Sequence, residues 1–289
     1  VFIGSDLGPG VMENFKEEFP NKFFMEGISE QHVIGMASGL AMDGFVPYVN
    51  TISTFLTRRC YEQIAIDVCL HNLPVRLIGN GGGFVYAPLG PTHQATDDIA
   101  LMRNLPNMTI ISPADAYEME KLMMQTLTWR SPIYIRLAKG GDQIIGSSSH
   151  QYEIGKGVIY KEPKDGLFIT TGVMAQKALK AIDNLNNESI DVGLLHLHTI
   201  KPLDEKLIKK YLNKIQNIVV VEEHSSIGGL GSAILELSQN YKINNNKIDR
   251  ICIPDVFNDK YGSQEELFKH YGLDSDNLTQ KMKLLVKSE

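Results

Sequence analysis

Thr109-Ile110-Ile111-Ser112-Pro113-Ala114-Asp115, an amphipathic stretch running on to about Trp129, and then Ile133-Tyr134-Ile135-Arg136-Leu137 together decide the fold class. Two short β-branched runs flank a segment that opens like a helix. Ser112 is placed to cap it, Pro113 to fill its first position and Asp115 to put an acid in its first turn. Strand, helix and strand within 29 residues make a βαβ unit, and the strands of such a unit lie parallel.

The same alternation continues outward. Upstream, strands are expected at Val1–Asp6, Lys22–Met25, Val46–Asn50 and Val75–Gly79. Downstream they are expected at Val158–Tyr160, Leu167–Thr171, Asp191–His196, Asn217–Glu222 and Arg250–Ile253. Several are apolar on both faces, as buried parallel strands are. In Thr57–Asn72, Tyr61, Ile64, Ala65, Val68 and Cys69 recur at helical spacing. Another helix is expected near Pro202-Leu203-Asp204-Glu205. The reading is an α/β protein with two three-layer domains and mainly parallel sheets. The Gly- and Ser-rich stretch Lys139–His150 separates the two series, giving domains at 1–140 and 153–289 with a linker at 141–152.

A length of 289 residues with 43% hydrophobic content supplies two cores and excludes global disorder. The formal charge of −6 argues against nucleic acid or anionic membrane as the main partner. No apolar run is long enough to span a bilayer. Cys60, Cys69 and Cys252 form no C-x-x-C pair, so they read as buried free thiols in a reducing, cytoplasmic setting. The opening run Val1-Phe2-Ile3-Gly4 is already strand-like with no charged leader before it, so the first domain is expected to be incomplete at its N-terminus.

Four segments could carry chemistry. Gly27-Ile28-Ser29-Glu30-Gln31-His32 opens a helix bearing Gly35 and Gly39 on one face; Glu30 is either a functional carboxylate or a complement to the helix dipole. Ser53-Thr54-Phe55-Leu56-Thr57-Arg58-Arg59 puts an aromatic and two cations at a strand-to-helix turn. Phe55 is a stacking platform or core, and the arginines hold an anion or are solvated. Gly79-Asn80-Gly81-Gly82-Gly83-Phe84 looks like a phosphate cradle but fits neither the P-loop nor the Rossmann pattern. It leads to Gly90-Pro91-Thr92-His93-Gln94, where a loop histidine suits acid–base or binding work. Glu222-Glu223-His224 with Gly228-Gly229-Leu230-Gly231 is a metal site or, more simply, a strand end packed on a helix.

Taken in order, these segments resemble the transketolase and 1-deoxyxylulose-5-phosphate synthase family of thiamine diphosphate enzymes. The resemblance runs from Ser5-Asp6-Leu7 through the Glu30, Phe55 and His93 segments, Leu105-Pro106-Asn107 and Ser112-Pro113-Ala114-Asp115 to Thr199-Ile200-Lys201-Pro202-Leu203-Asp204. It implies a pyrimidine-binding domain at 1–140 and a transketolase C-terminal-like domain at 153–289. It also implies that Glu30 shares a proton with the ring nitrogen of the cofactor's aminopyrimidine, which a carboxyl can do and an amide cannot. Phe55 would stack on that ring with Arg58 beside it. His93 would sit near the cofactor's amino group and the substrate, and Arg136 would grip a substrate phosphate with its fork.

The departures shape the reading. Gly81-Gly82 stands where full-length transketolases carry a His-Asp pair, and Leu89 where they carry Asp. No G-D-G is present to begin a Mg²⁺ and diphosphate site, Gly141-Asp142-Gln143 being the nearest approach. No metal ligand is therefore expected on this chain. The expectation is a split enzyme: an N-terminal subunit holds Mg²⁺ and the diphosphate, two copies of each chain form an α2β2 heterotetramer, and a two-carbon ketol unit moves between sugars or sugar phosphates. The alternatives are the β subunit of a 2-oxo-acid dehydrogenase, a pyruvate-using deoxyxylulose-phosphate-synthase-like transferase, and a non-catalytic assembly subunit.

Overall fold

A computed structural model describes residues 1–5 and 11–287. Asp6 and Leu7, which close the first strand candidate and the first matching segment, lie outside the described residues. The strands are β1 (Phe2–Gly4), β2 (Phe23–Met25), β3 (Tyr48–Ile52), β4 (Arg76–Asn80), β5 (Thr109–Ile111), β6 (Ile133–Leu137), β7 (Val158–Lys161), β8 (Gly166–Thr170), β9 (Val192–His196), β10 (Thr199–Lys201), β11 (Asn217–Ser225) and β12 (Lys247–Ile253). The α-helices are α1 (Glu13–Glu18), α2 (Glu30–Met42), α3 (Tyr61–Gln63), α4 (Asp98–Arg103), α5 (Ala116–Thr126), α6 (Met174–Asn186), α7 (Glu205–Lys214), α8 (Leu230–Asn240), α9 (Gln264–Tyr271) and α10 (Ser275–Lys287).

Two sheets form, in the orders β10-β5-β6-β4-β3-β1-β2 and β12-β11-β8-β9-β7. All pairings are parallel except β10 with β5 and β7 with β9. The α/β architecture read from the alternation is therefore the observed one. Ile3, Val49, Leu77, Ile110 and Tyr134 pack one face of the first sheet against Val33, Ile34 and Ala37 of α2. Its other face buries Ile78, Ile111, Ile133 and Ile135 under Leu122 of α5, Tyr152 at the end of the linker and Ile154 just beyond it. Both faces of the second sheet are likewise covered by apolar clusters. No helix among the described residues is long and apolar enough to cross a membrane.

Three local expectations change. The cap of α5 is Asp115, not Ser112: its carboxylate accepts the Glu118 amide at 2.9 Å, and the helix starts at Ala116. Ser112 is instead tied to the second domain, donating its amide to His198 O at 2.7 Å and accepting from Gly172 N at 3.1 Å. The stretch expected as one helix at Thr57–Asn72 is π-helical over Phe55–Arg59 and Ile64–Cys69, with the short α3 between. Finally, β10 is an unexpected strand. It leaves the second domain and adds antiparallel to β5, pairing Thr199 with Ile111 and Lys201 with Ile110. Three residues bounded by a histidine and a proline are too few to show periodicity.

The thiols are free, with Cys60 and Cys69 buried and Cys252 half-buried. Burial pushes Cys60 and Cys69 up to about 12 and Cys252 up to about 11, so they are unreactive.

Candidate active site

The C-terminal ends of parallel strands face the same edge of their sheet, where α/β proteins carry ligand sites. Here β2 leads into Glu30, β3 into Phe55, and β4 through a glycine-rich loop into His93. Glu30 is the first residue of α2 and is buried at 3% exposure. Phe55 opens the first π-helical turn and is half-buried, while its neighbour Leu56 points into the core. The Phe55 and His93 rings meet edge to face, 5.1 Å apart at 70°. His93 Nδ1 lies 2.9 Å from Thr92 Oγ1. The structure thus brings Glu30, Phe55 and His93 to one sheet edge. A recess of about 250 Å³ opens there, lined by Ile28, Ser29, Glu30, Gln31, His32 and Arg59.

The two arginines divide in a way spacing could not foresee. Arg58 turns away from Glu30. Its Nε contacts both carboxylate oxygens of Asp97 at 3.0 and 2.9 Å, and its Nη2 donates to Asp97 Oδ1 at 2.8 Å and Gln94 O at 3.1 Å. Arg59 is the residue at the site: Nη1 reaches Glu30 Oε2 at 2.6 Å, and the guanidinium carbon sits 4.4 Å from the Phe55 ring centroid. Consecutive helical residues point in well-separated directions, and the π-helical turn shifts the register further.

Arg136, expected to grip a substrate phosphate, is held by partners within the protein. It is 6% exposed, and Nε donates to Asp98 Oδ2 at 2.7 Å. Nη2 donates to Ala95 O at 3.2 Å and Glu223 O at 2.9 Å. Burial alone would lower its pKa, but Asp98 and Glu223 beside it raise the value on balance, so the cation is fixed. Its Nε and Nη2 join the two domains. Another cation stands three residues on: Lys139, with no ion-pair partner among the described residues, lines a cavity of about 270 Å³ with Asn80, Asp115 and Gly140–Asp142.

The triple-glycine loop is not a phosphate cradle, because side chains fill it. A Cβ on Gly82 would lie 2.7 Å from Arg136, and Gly83, at φ +64°, has Glu223 where a Cβ would go. Glu223 accepts from Phe84 N at 2.6 Å and Gln264 Nε2 at 2.8 Å. Glu222 accepts the first amides of α8, from Leu230 at 2.6 Å and Gly231 at 2.8 Å. Both acids thus tie backbone amides and a side-chain amide of neighbouring elements to the end of β11. Among the described residues no group of three or more His, Cys, Asp or Glu side chains could hold a metal ion.

Nothing in the sequence singles out Asp97 or Asn258, or the loop-bracing role of Gln94. Asn258 comes from the loop after β12, and its Nδ2 donates to Gln94 Oε1 at 3.1 Å. Tyr261 of that loop lies over Gly90, 3.0 Å from where a Cβ would sit. The C-terminal domain therefore props the loop that carries His93, a contact between residues 164 positions apart that no local pattern could reveal.

Comparison with known proteins agrees with this geometry. The description "Transketolase, pyrimidine binding domain" matches residues 1–141, and "Transketolase, C-terminal domain" matches residues 155–278. A Methanocaldococcus jannaschii protein named as a transketolase C-terminal section is 36% identical over 100% of this chain and 91% of its own length. A 1-deoxy-D-xylulose-5-phosphate synthase of Geobacter metallireducens is 35% identical over 94% of this chain, which spans only 44% of it. A solved split-gene transketolase, described as an inactive β4 tetramer, superposes with a TM-score of 0.88 at 32% identity, covering 99% of this chain and 91% of the other. The chain belongs to the transketolase family and carries both its pyrimidine-binding and its C-terminal domain.

Proposed function

We propose that this chain is one subunit of a split thiamine diphosphate-dependent transketolase that moves a two-carbon ketol unit between sugars or sugar phosphates. The observation that carries the reading is the buried Glu30 carboxylate, linked through the Arg59 guanidinium to the face of Phe55 and lining an open recess. That donor set fits an aminopyrimidine: an acidic group for a ring nitrogen, an aromatic face for the ring, and a histidine close by. The diphosphate and Mg²⁺ are proposed to sit on a partner subunit, a reading supported by the relatives named as a transketolase C-terminal section and a split-gene transketolase. The inactivity ascribed to the β-only tetramer of the solved relative supports dependence on such a partner, and α2β2 is the assembly proposed.

When bound, the cofactor supplies an electron sink for breaking and making a carbon–carbon bond next to a carbonyl. Glu30 holds and shares a proton at the ring nitrogen. Its burial keeps water from competing for that proton. Phe55 fixes the plane of the ring. His93, half-exposed and braced edge-on by Phe55, moves a proton to or from substrate oxygen. Arg58 braces the His93 loop through Asp97 and Gln94 rather than touching the ring. For phosphorylated substrates, Lys139 is the cation proposed in place of Arg136.

The test combines this chain with the subunit carrying the diphosphate-binding domain, Mg²⁺ and thiamine diphosphate, and offers ketose donors and pyruvate in parallel. Turnover with ketoses, at least about 100-fold lower in Glu30→Gln with assembly unchanged, is the expected result. Full activity in Glu30→Gln would refute the proton-sharing role. Turnover of pyruvate alone would move the chain to the deoxyxylulose-phosphate-synthase side of the family.

A further inference from the structure

We propose that Arg59 is a latch on the site: it competes with the aminopyrimidine ring for Glu30 and Phe55, and must swing aside for the ring to enter. The inference rests on the reading of those two residues given above. A guanidinium is flat, donates hydrogen bonds along its edge and stacks through its face. Arg59 uses both features here, with its edge on Glu30 at 2.6 Å and its face on Phe55 at 4.4 Å. An aminopyrimidine would use the same two contacts, edge to the carboxyl and face to the aromatic. The two planar groups cannot occupy them together.

The surroundings suit a latch. A buried carboxylate left without a partner is costly, so Arg59 leaves Glu30 most readily when another donor arrives. Its side chain is 41% exposed, and the recess of about 250 Å³ beside it gives the arm somewhere to go. Its backbone stays anchored meanwhile, because Gln31 Nε2 donates to Arg59 O at 3.1 Å. Arg58 cannot substitute, being held by Asp97 and Gln94. A site closed in this way opens only to a ligand that satisfies carboxylate and aromatic face at once.

The experiment titrates the pyrimidine half of thiamine, 4-amino-5-hydroxymethyl-2-methylpyrimidine, into the full chain by ligand-observed NMR. Thiamine diphosphate with Mg²⁺ is titrated into the assembled complex by calorimetry. Wild type, Arg59→Ala, Arg59→Lys and Glu30→Gln are compared. A latch that is closed most of the time taxes affinity by the open fraction, so Arg59→Ala lowers the pyrimidine Kd by about fivefold or more. Arg59→Lys, charged but unable to stack as a plane, falls between. Glu30→Gln raises the Kd for both ligands. An unchanged or higher Kd in Arg59→Ala, alongside a higher Kd in Glu30→Gln, overturns the latch and leaves the functional reading standing. If Glu30→Gln binds both ligands as wild type does, the functional reading fails and takes the latch with it.

Discussion

Arg136 Nε donates to Asp98 Oδ2 at 2.7 Å, and both side chains are buried beneath the joint between the two sheets. Tyr134 Oη donates to the same oxygen at 2.7 Å, so one carboxylate receives a cation and a phenol. Breaking such a pair strands a buried charge, at about 3–5 kcal/mol. Asp98→Ala is expected to lose that much in urea unfolding. Asp98→Leu combined with Arg136→Met should lose far less than the two single variants together. Additive losses would mean that the pair does not act as a unit.

Glu222 and Gly229 form a second unit. The carboxylate ties the first amides of α8, and a Cβ on Gly229 would sit 2.1 Å from Glu222 Oε2. Gly229→Ala is expected to push Glu222 off the helix and to cost about 1–3 kcal/mol, as stranded buried donors do. Adding Glu222→Ala should cost little more, which thermal denaturation of the single and double variants would show.

Glu223 gives the fold a pH dependence. Burial raises its carboxyl to about 7, with Arg136, Gln264 and the Phe84 amide pulling the other way. Above about pH 4.3 the unfolded chain gives up this proton while the folded chain keeps it. Folding then binds the extra proton, so this contribution is fully present at low pH and is lost as pH rises from about 4.5 to about 7. Glu223→Gln should flatten that part of the stability profile and be the more stable form above neutrality, by on the order of 3 kcal/mol. A profile with the same slope in both proteins would refute the assignment.

His93→Asn keeps a polar loop side chain but removes the titratable ring. In the assembled enzyme turnover should fall by about 10²–10⁴-fold, with cofactor affinity changed much less. A fall in affinity alone, with full turnover at saturation, would make His93 a binding residue.

Much of the architecture was legible because it is local. Strand and helix periodicities in Thr109–Leu137 depend on neighbours in sequence, and they hold in the structure apart from the shift of the helix cap to Asp115. Glu30, Phe55 and His93 were brought together only by the family resemblance; in the structure they share one edge because parallel strands put their C-terminal ends together. Spacing could not tell Arg58 from Arg59 and the resemblance chose Arg58, since their separate directions lay in a π-helical turn that leaves no compositional trace. Arg136 was ambiguous for a different reason. A forked cation at the end of a strand suits a phosphate and a buried carboxylate equally well, and the carboxylate, Asp98, lies on another element 38 residues away.

The edge strand β10 also sets how the molecule can be cut. Three residues of the downstream half are woven into the upstream sheet, and Lys201 Nζ donates to Arg103 O at 2.8 Å behind them. A nick among residues 140–150 severs the backbone but not this stitch. The two fragments should stay together as a complementing pair through the nick, and separate only under denaturant. Expressed alone, the upstream fragment would show the bare flank of β5, a template for adhesion to other strands. What reads in sequence as a boundary between two domains is, mechanically, a seam sewn from the far side.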